Sequence, residues 1–168
     1  MSLVDPITKA VFEGDCKRID TLLAGQNVNA GTGDDNLLRV ALMGITEAPS
    51  PTVVQHLIKL GVDVNIKDRY GWTPLHYAAR TKSPAAAPSQ SVECVKLLID
   101  AGADVNAKDN EGVSPMHRSV FANPWNVEMI EVLLAAGAKP TETFCRFVNA
   151  VADDPEKDAV LALLSKYR

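Results

Sequence analysis

Residues 68–79 read Asp-Arg-Tyr-Gly-Trp-Thr-Pro-Leu-His-Tyr-Ala-Ala, and a similar stretch, Asp-Asn-Glu-Gly-Val-Ser-Pro-Met-His-Arg-Ser-Val, follows at residues 109–120. Each stretch leads to an apolar segment that ends in Ala-Gly-Ala, at residues 101–103 and 136–138. Self-similarity of this length, at a spacing of about 40 residues, predicts a protein built from repeated units.

The residue types of the two stretches have physical reasons. In each stretch the glycine supplies the positive φ of a tight turn, the hydroxyl residue caps a helix and the proline occupies its first position. These residues are Gly71, Thr73 and Pro74 in the first stretch and Gly112, Ser114 and Pro115 in the second. Apolar residues then recur at helical spacing, which predicts a second helix that a glycine ends. Each unit is therefore predicted to fold as hairpin, helix, turn and helix.

The first stretch resembles the ankyrin repeat, since residues 73–78 carry its Thr-Pro-Leu-His-x-Ala signature. Weaker copies precede and follow the two clear units, and end units that have a single neighbour are expected to be degenerate. The chain is thus predicted to be an all-α ankyrin-repeat solenoid of about five helix-turn-helix units, with short β-hairpin tips and degenerate end caps. One domain, residues 1–168, is expected, with units at about 4–30, 31–66, 67–107, 108–140 and 141–168.

Composition narrows the classes of function. The formal net charge of −4 and the pI near 5.3 oppose binding to a phosphate backbone, so nucleic acid is not an expected partner. No segment approaches the roughly 18 apolar residues that cross a bilayer, and the first residues lack the features of a secretory signal. Three widely separated cysteines are interpreted as small core residues in a reducing compartment. We expect a cytoplasmic monomer with no membrane contact.

Catalysis is not expected, and no cofactor or metal is predicted. The resemblance implies that His76 and His117 bond backbone between neighbouring units, which is a structural role. His56 has no His, Cys or carboxylate four residues further on that could complete a metal pair. The sequence also contains no phosphate-binding loop and no dinucleotide fingerprint. A hydrolase that uses His76 or His117 remains a third hypothesis, behind the two binding hypotheses below.

The resemblance implies that a partner binds the concave surface, which hairpin tips and first helices form in this family. The central unit contributes an aromatic and arginine-rich set, and Trp, Tyr and Arg dominate binding hot spots. The predicted partner-binding residues are Arg69, Tyr70, Trp72, Tyr77, Arg80, Asn110, Glu111, Val113, Arg118 and Phe121, with Trp125 as a second anchor in a loop. Each of these assignments has an alternative that stays open. Trp72 and Tyr77 could pack against the neighbouring unit instead of binding a partner. Trp125 could cover the apolar end of an adjacent helix instead.

The leading hypothesis is a protein–protein interaction module, an adaptor or an inhibitor, that binds a protein partner through this concave surface. The alternative is a module that binds a small molecule or peptide in the groove and along the long loops between paired helices. These loops are rich in Pro, Ala and Ser at residues 46–51 and 81–90, a composition that favours exposure.

Overall fold

The computed structural model describes residues 5–30, 33–43, 50–80, 88–120, 125–151 and 156–167. In these ranges the chain forms ten α-helices and a short 3-10 turn at Gly33–Asp35, and it forms no β-strand. The helices are α1 (Pro6–Glu13), α2 (Cys16–Leu23), α3 (Leu37–Met43), α4 (Pro51–Lys59), α5 (Pro74–Ala79), α6 (Pro88–Asp100), α7 (Pro115–Ser119), α8 (Val127–Ala135), α9 (Glu142–Ala150) and α10 (Lys157–Lys166).

The helices pack as five consecutive pairs arranged in two layers. Helices α1, α3, α5 and α7 lie side by side in one layer, and α4, α6, α8 and α10 lie side by side in the other. Fully buried apolar side chains, such as Leu38, Leu57, Leu75, Leu98 and Met116, fill the space between the layers. The all-α class and the stacked helix pairs predicted from the sequence are confirmed.

The hairpin tips of the third and fourth units are tight turns. The Asp68 N–H donates to the Trp72 carbonyl at 3.0 Å, and the Asp109 N–H donates to the Val113 carbonyl at the same distance. Gly71 adopts a φ of 76°, as the turn requires. Each tip is too short to form a regular strand ladder, so the predicted β-hairpins occur here as hydrogen-bonded turns.

The starts of α5 and α7 differ although their sequences match. At α7 the Ser114 hydroxyl accepts the His117 N–H at 3.4 Å, as predicted for a capping residue. At α5 Thr73 and His76 form a capping box, in which Nδ1 of His76 accepts the Thr73 N–H at 3.1 Å and lies 2.9 Å from the Thr73 hydroxyl. The histidine ring therefore helps to cap the start of its own helix.

Three asparagines clamp successive units together. In each clamp the asparagine NH2 donates to the carbonyl of a glycine in the next unit, just after that unit's second helix. The asparagine side-chain oxygen accepts the backbone N–H of the residue two positions after that glycine. The clamps join Asn29 to Gly61 and Asp63, Asn65 to Gly102 and Asp104, and Asn106 to Gly137 and Lys139, all at 2.7–3.0 Å. These bonds fix the distance between neighbouring units on the side of the second helices.

The cysteines are thiols that lie within or against the helix layers. Cys94 is fully buried, and burial raises the pKa of its thiol to about 12, so it packs as a small apolar residue. Cys16 and Cys145 are half-buried. Across the described ranges, no helix has the length and apolar character needed to span a membrane.

Candidate functional site

An open pocket of about 340 Å³ lies between the tips of the third and fourth units and their first helices, α5 and α7. Its lining residues are Tyr70, Trp72, Tyr77, Arg80, Asn110, Glu111 and Arg118. We call this site the tip pocket. All seven residues belong to the set that the sequence predicted, so the fold brings these distant positions together.

Asp68 sets the geometry of the first wall of the tip pocket. One carboxylate oxygen accepts the N–H groups of Tyr70 and Trp72 at 2.8 and 2.9 Å, which holds the turn closed. The other oxygen accepts the Tyr77 hydroxyl at 2.5 Å, which fixes a helix side chain against the tip. Arg39 of the preceding unit donates to the same Tyr77 hydroxyl at 3.2 Å.

Asp109 repeats this arrangement in the next unit with a different partner. Its Oδ1 accepts the N–H groups of Glu111 and Val113, each at 2.9 Å, and its Oδ2 accepts a short hydrogen bond from Arg118. Burial alone would raise the pKa of Asp109, but the Arg118 guanidinium and the two backbone N–H groups hold that pKa below its usual value. The phenol of Tyr77 thus forms one wall of the tip pocket, and the guanidinium of Arg118 forms the other.

Trp72 forms the floor between two arginines. The guanidinium carbon of Arg118 lies 4.3 Å from the indole centroid, and that of Arg80 lies 5.3 Å from it. The Tyr77 ring lies against the same indole, with centroids 4.9 Å apart. Contacts of this kind contribute about 0.5–2 kcal/mol each, so they keep the rings and guanidinium groups ordered.

Arg80 and Arg118 differ in how their charges are compensated. Arg118 donates to Asp109 and, at 3.1 Å, to Glu111. Arg80 makes no hydrogen bond or ion pair through its side chain with any residue that the structure describes, and it contacts Trp72 instead. Burial, followed by repulsion from Arg118, lowers the pKa of Arg80. The tip pocket therefore holds a cation whose charge lacks a protein counterion among the described residues.

Asn110 joins the two tips. Its backbone N–H donates to the Tyr70 carbonyl at 3.0 Å, and its side-chain amide donates to the Arg69 carbonyl at 2.9 Å. The sequence predicted Asn110 as a partner contact, and in this structure its backbone N–H and its side-chain amide also bond to the preceding unit. Its role is to hold the edge of the tip pocket in place.

The remaining predicted residues have different positions. The Arg69 side chain is exposed beside the tip pocket, where it contacts the Tyr70 ring and pairs with Asp34 at 3.2 Å. Val113 is half-buried, and its carbonyl lies 3.1 Å from Nε2 of His76. Phe121 lies outside the described residues.

Trp125 is a correction to the predicted site. Its side chain is only 5% exposed, and its ring packs against Phe147 of α9 with centroids 6.2 Å apart. The alternative in which it covers an adjacent helix is therefore the one that the structure supports. The reason is that Phe147 of the last helix pair provides an apolar surface against Trp125, so Trp125 is unavailable as a second anchor.

The signature histidines are structural. His76 is fully buried, accepts from Thr73 at Nδ1, and donates from Nε2 to the Val113 carbonyl of the next unit. His117 is buried against the rings of Phe144 and Phe147, with centroids 5.8 and 6.0 Å away. Burial lowers the pKa of both rings, which favours their neutral forms.

We expect the free energy of unfolding to decrease on acidification from about pH 7 to about pH 5.5, partly through His76. The unfolded chain binds a proton near pH 6.5, whereas the folded chain keeps the buried ring neutral because burial lowers its pKa. The stabilisation by His76 is complete at pH values above the pKa that its ring has in the unfolded chain, and it is lost as the pH falls below that pKa. Urea unfolding at both pH values measures it, and the decrease should be smaller in His76→Gln. An equal decrease in both proteins contradicts the assignment.

Two organising residues, Asp68 and Asp109, were missed from the sequence. Each stands five residues before the helix-capping hydroxyl and nine before the side chain that it holds, Tyr77 or Arg118. Their occurrence at matching places in both units was the available signal. No group of three or more His, Cys, Asp or Glu side chains that could hold a metal was found within the described ranges.

Comparison with known proteins agrees with this geometry. A family model for ankyrin repeats, in three copies, matches residues 7–88 and 42–143. No curated protein matches the sequence significantly. The matched ranges include most of the chain and every residue of the tip pocket. The chain therefore belongs to the ankyrin-repeat family, whose members are generally protein–protein interaction modules.

Proposed function

We propose that this chain binds a protein partner through the tip pocket and the surface of tips and first helices around it. The observation that carries the proposal is an ordered aromatic and arginine cluster that is open to solvent. Tyr70 is 56% exposed at its rim, and Trp72 forms its floor. Large planar side chains lose little entropy on binding and provide much contact area, which is why they dominate hot spots.

The proposed activity is recognition, without a chemical reaction. The buried histidines are occupied by structural contacts, and the cation in the tip pocket lies beside aromatic rings rather than beside a nucleophile. Such a module serves as an adaptor or, where the partner's own active site lies over the tip pocket, as an inhibitor. We propose that it acts as a cytoplasmic monomer, in keeping with its thiol cysteines.

The first test is Tyr70→Ala, which we expect to weaken partner binding by about 2 kcal/mol, or about 30-fold. Tyr70 makes its described side-chain contact with Arg69 at the surface, so its removal should leave helical content unchanged. Proteins from the source cells are captured on immobilised wild-type and variant chains and quantified by mass spectrometry. The partner is the protein that wild type retains and Tyr70→Ala loses.

Phe12→Ala is the matched control for this test. Phe12 is an exposed aromatic residue, 44% accessible, on α1 of the first unit, away from the tip pocket. A partner of the tip pocket should bind Phe12→Ala as it binds wild type. If every specifically captured protein binds Tyr70→Ala as well as wild type, the proposed site is incorrect.

A small-molecule ligand is the second candidate because the volume of the tip pocket lies at the lower end of the range for such sites. A ligand that binds only the folded state raises the thermal midpoint. A metabolite that raises the midpoint of wild type but not of Tyr70→Ala would favour this candidate over a protein partner.

A further inference from the structure

Building on the proposed function, we propose that the tip pocket recognises a partner segment that presents an aspartate or glutamate beside an apolar side chain. The partner's carboxylate binds the Arg80 guanidinium, and the apolar side chain lies on Trp72 and Tyr70. The whole chain is acidic, with a net charge of −4, but arginines outnumber acidic residues among the lining of the tip pocket. The proposal thus assigns an acidic ligand to an acidic protein.

Three charged side chains line the tip pocket. They are Arg80, Arg118 and Glu111. Arg118 is neutralised by Asp109 behind it and by Glu111 at the rim, whereas the Arg80 side chain has no hydrogen bond or ion pair with a described residue. A half-buried cation without a counterion is unfavourable in the free protein, and a bound anion removes that cost.

The Arg80 guanidinium is placed where it can receive a ligand. Its guanidinium lies 5.3 Å from the Trp72 centroid, and the backbone N–H of Arg80 is fixed by the carbonyls of His76 and Tyr77 at the end of α5. A guanidinium that rests on an indole keeps its N–H edges available for in-plane hydrogen bonds. A carboxylate accepts two such bonds in parallel, which adds both strength and orientation.

The charges around Arg80 favour a carboxylate over a phosphate. Sites for phosphorylated peptides use clusters of arginines, because phosphate carries nearly two negative charges. Here the second arginine is already neutralised, and the exposed carboxylate of Glu111 lies at the rim, where it would repel a dianion. One uncompensated guanidinium matches one singly charged carboxylate.

The aromatic surface determines what accompanies the acid. The indole of Trp72 contacts the ring of Tyr77 at a tilt of 56°, and both rings line the tip pocket together with Tyr70. An apolar side chain next to the acid would bury this aromatic surface while the carboxylate reaches Arg80. The expected ligand is therefore an acidic residue adjacent to an aromatic or aliphatic one within an exposed peptide segment.

The test is selection of a displayed library of random dodecapeptides on the full chain, followed by affinity measurements with the selected synthetic peptides. Peptides that bind wild type and lose binding to Trp72→Ala should be enriched in Asp or Glu beside an apolar residue. Replacing that Glu by Gln in the peptide should weaken binding to wild type at least about ten-fold. The same peptide change should reduce the affinity for the Arg80→Gln variant less than about three-fold, since the peptide carboxylate no longer has its arginine partner there.

Arg146→Gln is the matched control, since it removes the same charge from an exposed arginine of α9 that does not line the tip pocket. It should change peptide affinity less than about three-fold, which separates a specific contact from a general field effect. Among the described residues, Arg80→Gln gives up the side-chain contact with Trp72, and circular dichroism checks that both variants remain folded.

The outcomes separate this inference from the proposed function. Peptides that require Trp72 but show no acidic preference, or whose Glu→Gln versions bind equally well, overturn the inference and leave the proposed function standing. A phosphoserine in place of the Glu that binds at least about ten-fold tighter assigns a phosphate site and also overturns it. If no selected peptide depends on Trp72 or Tyr70, the inference and peptide recognition by the tip pocket both fail.

Discussion

Replacing Asp109 by alanine is expected to lower the free energy of unfolding by about 3–5 kcal/mol, the usual cost of removing one member of a buried ion pair. The Asp109 side chain is 0% exposed, and it accepts from Arg118 and from the N–H groups of Glu111 and Val113. Its loss leaves these donors without their acceptor at the base of the tip pocket. Urea unfolding at neutral pH, followed by circular dichroism, measures the change.

The asparagine variants of Asp109 and Asp68 provide a matched comparison. In both, the remaining oxygen can accept the two backbone N–H groups of the turn. In Asp109→Asn the new side-chain NH2 faces the Arg118 guanidinium, so two hydrogen-bond donors oppose each other. In Asp68→Asn the new NH2 faces the Tyr77 hydroxyl, which can accept a hydrogen bond from it. We expect losses of about 2–3 and about 1 kcal/mol, respectively. Equal losses contradict the assigned roles.

The second large effect is expected for Gly71→Ala, at about 3 kcal/mol. Gly71 has a φ of 76°, which costs an alanine about 1–2 kcal/mol. In addition, a Cβ at this position would lie 2.5 Å from Oδ1 and 2.8 Å from the backbone nitrogen of Asn110. Asn110 cannot move away without weakening its bonds to Tyr70 and Arg69, so the junction between the tips must open.

Gly112→Ala is the control for this prediction. Gly112 occupies the matching position of the next unit and has the same φ, but a Cβ there would meet nothing within 4 Å. It should cost only the backbone component, about 1–2 kcal/mol. The difference between the two variants in urea unfolding isolates the contact between tips. If both variants lose the same stability, Asn110 does not hold the tips together.

Much of the fold could be predicted from the sequence because its determinants are local. The glycine of each tip, the proline at each helix start and the apolar spacing act within a few residues of one another. The resemblance to the ankyrin repeat then predicted that Tyr70, Trp72 and Tyr77 share one surface, since tips and first helices form the concave surface in this family. These predictions required no knowledge of side-chain contacts.

The details that could not be predicted depend on contacts between units. Trp125 is buried in part because its ring packs against Phe147, in the last helix pair. Asn110 bonds to carbonyls of the preceding tip, a pairing that depends on the separation between the two turns. Nδ1 of His76 accepts the Thr73 N–H, a contact that depends on the ring being held by Val113 of the next unit.

The asparagine clamps also bear on how such a chain can change in length. Each clamp uses a carbonyl and an N–H of the following unit's main chain, so its geometry does not depend on which side chains that unit carries. A duplicated or transplanted middle unit could therefore form the same asparagine hydrogen bonds with the unit before it and the unit after it. Growth of the array by copying a unit is compatible with the existing junctions, while the residues of the tips remain free to diverge toward new ligands.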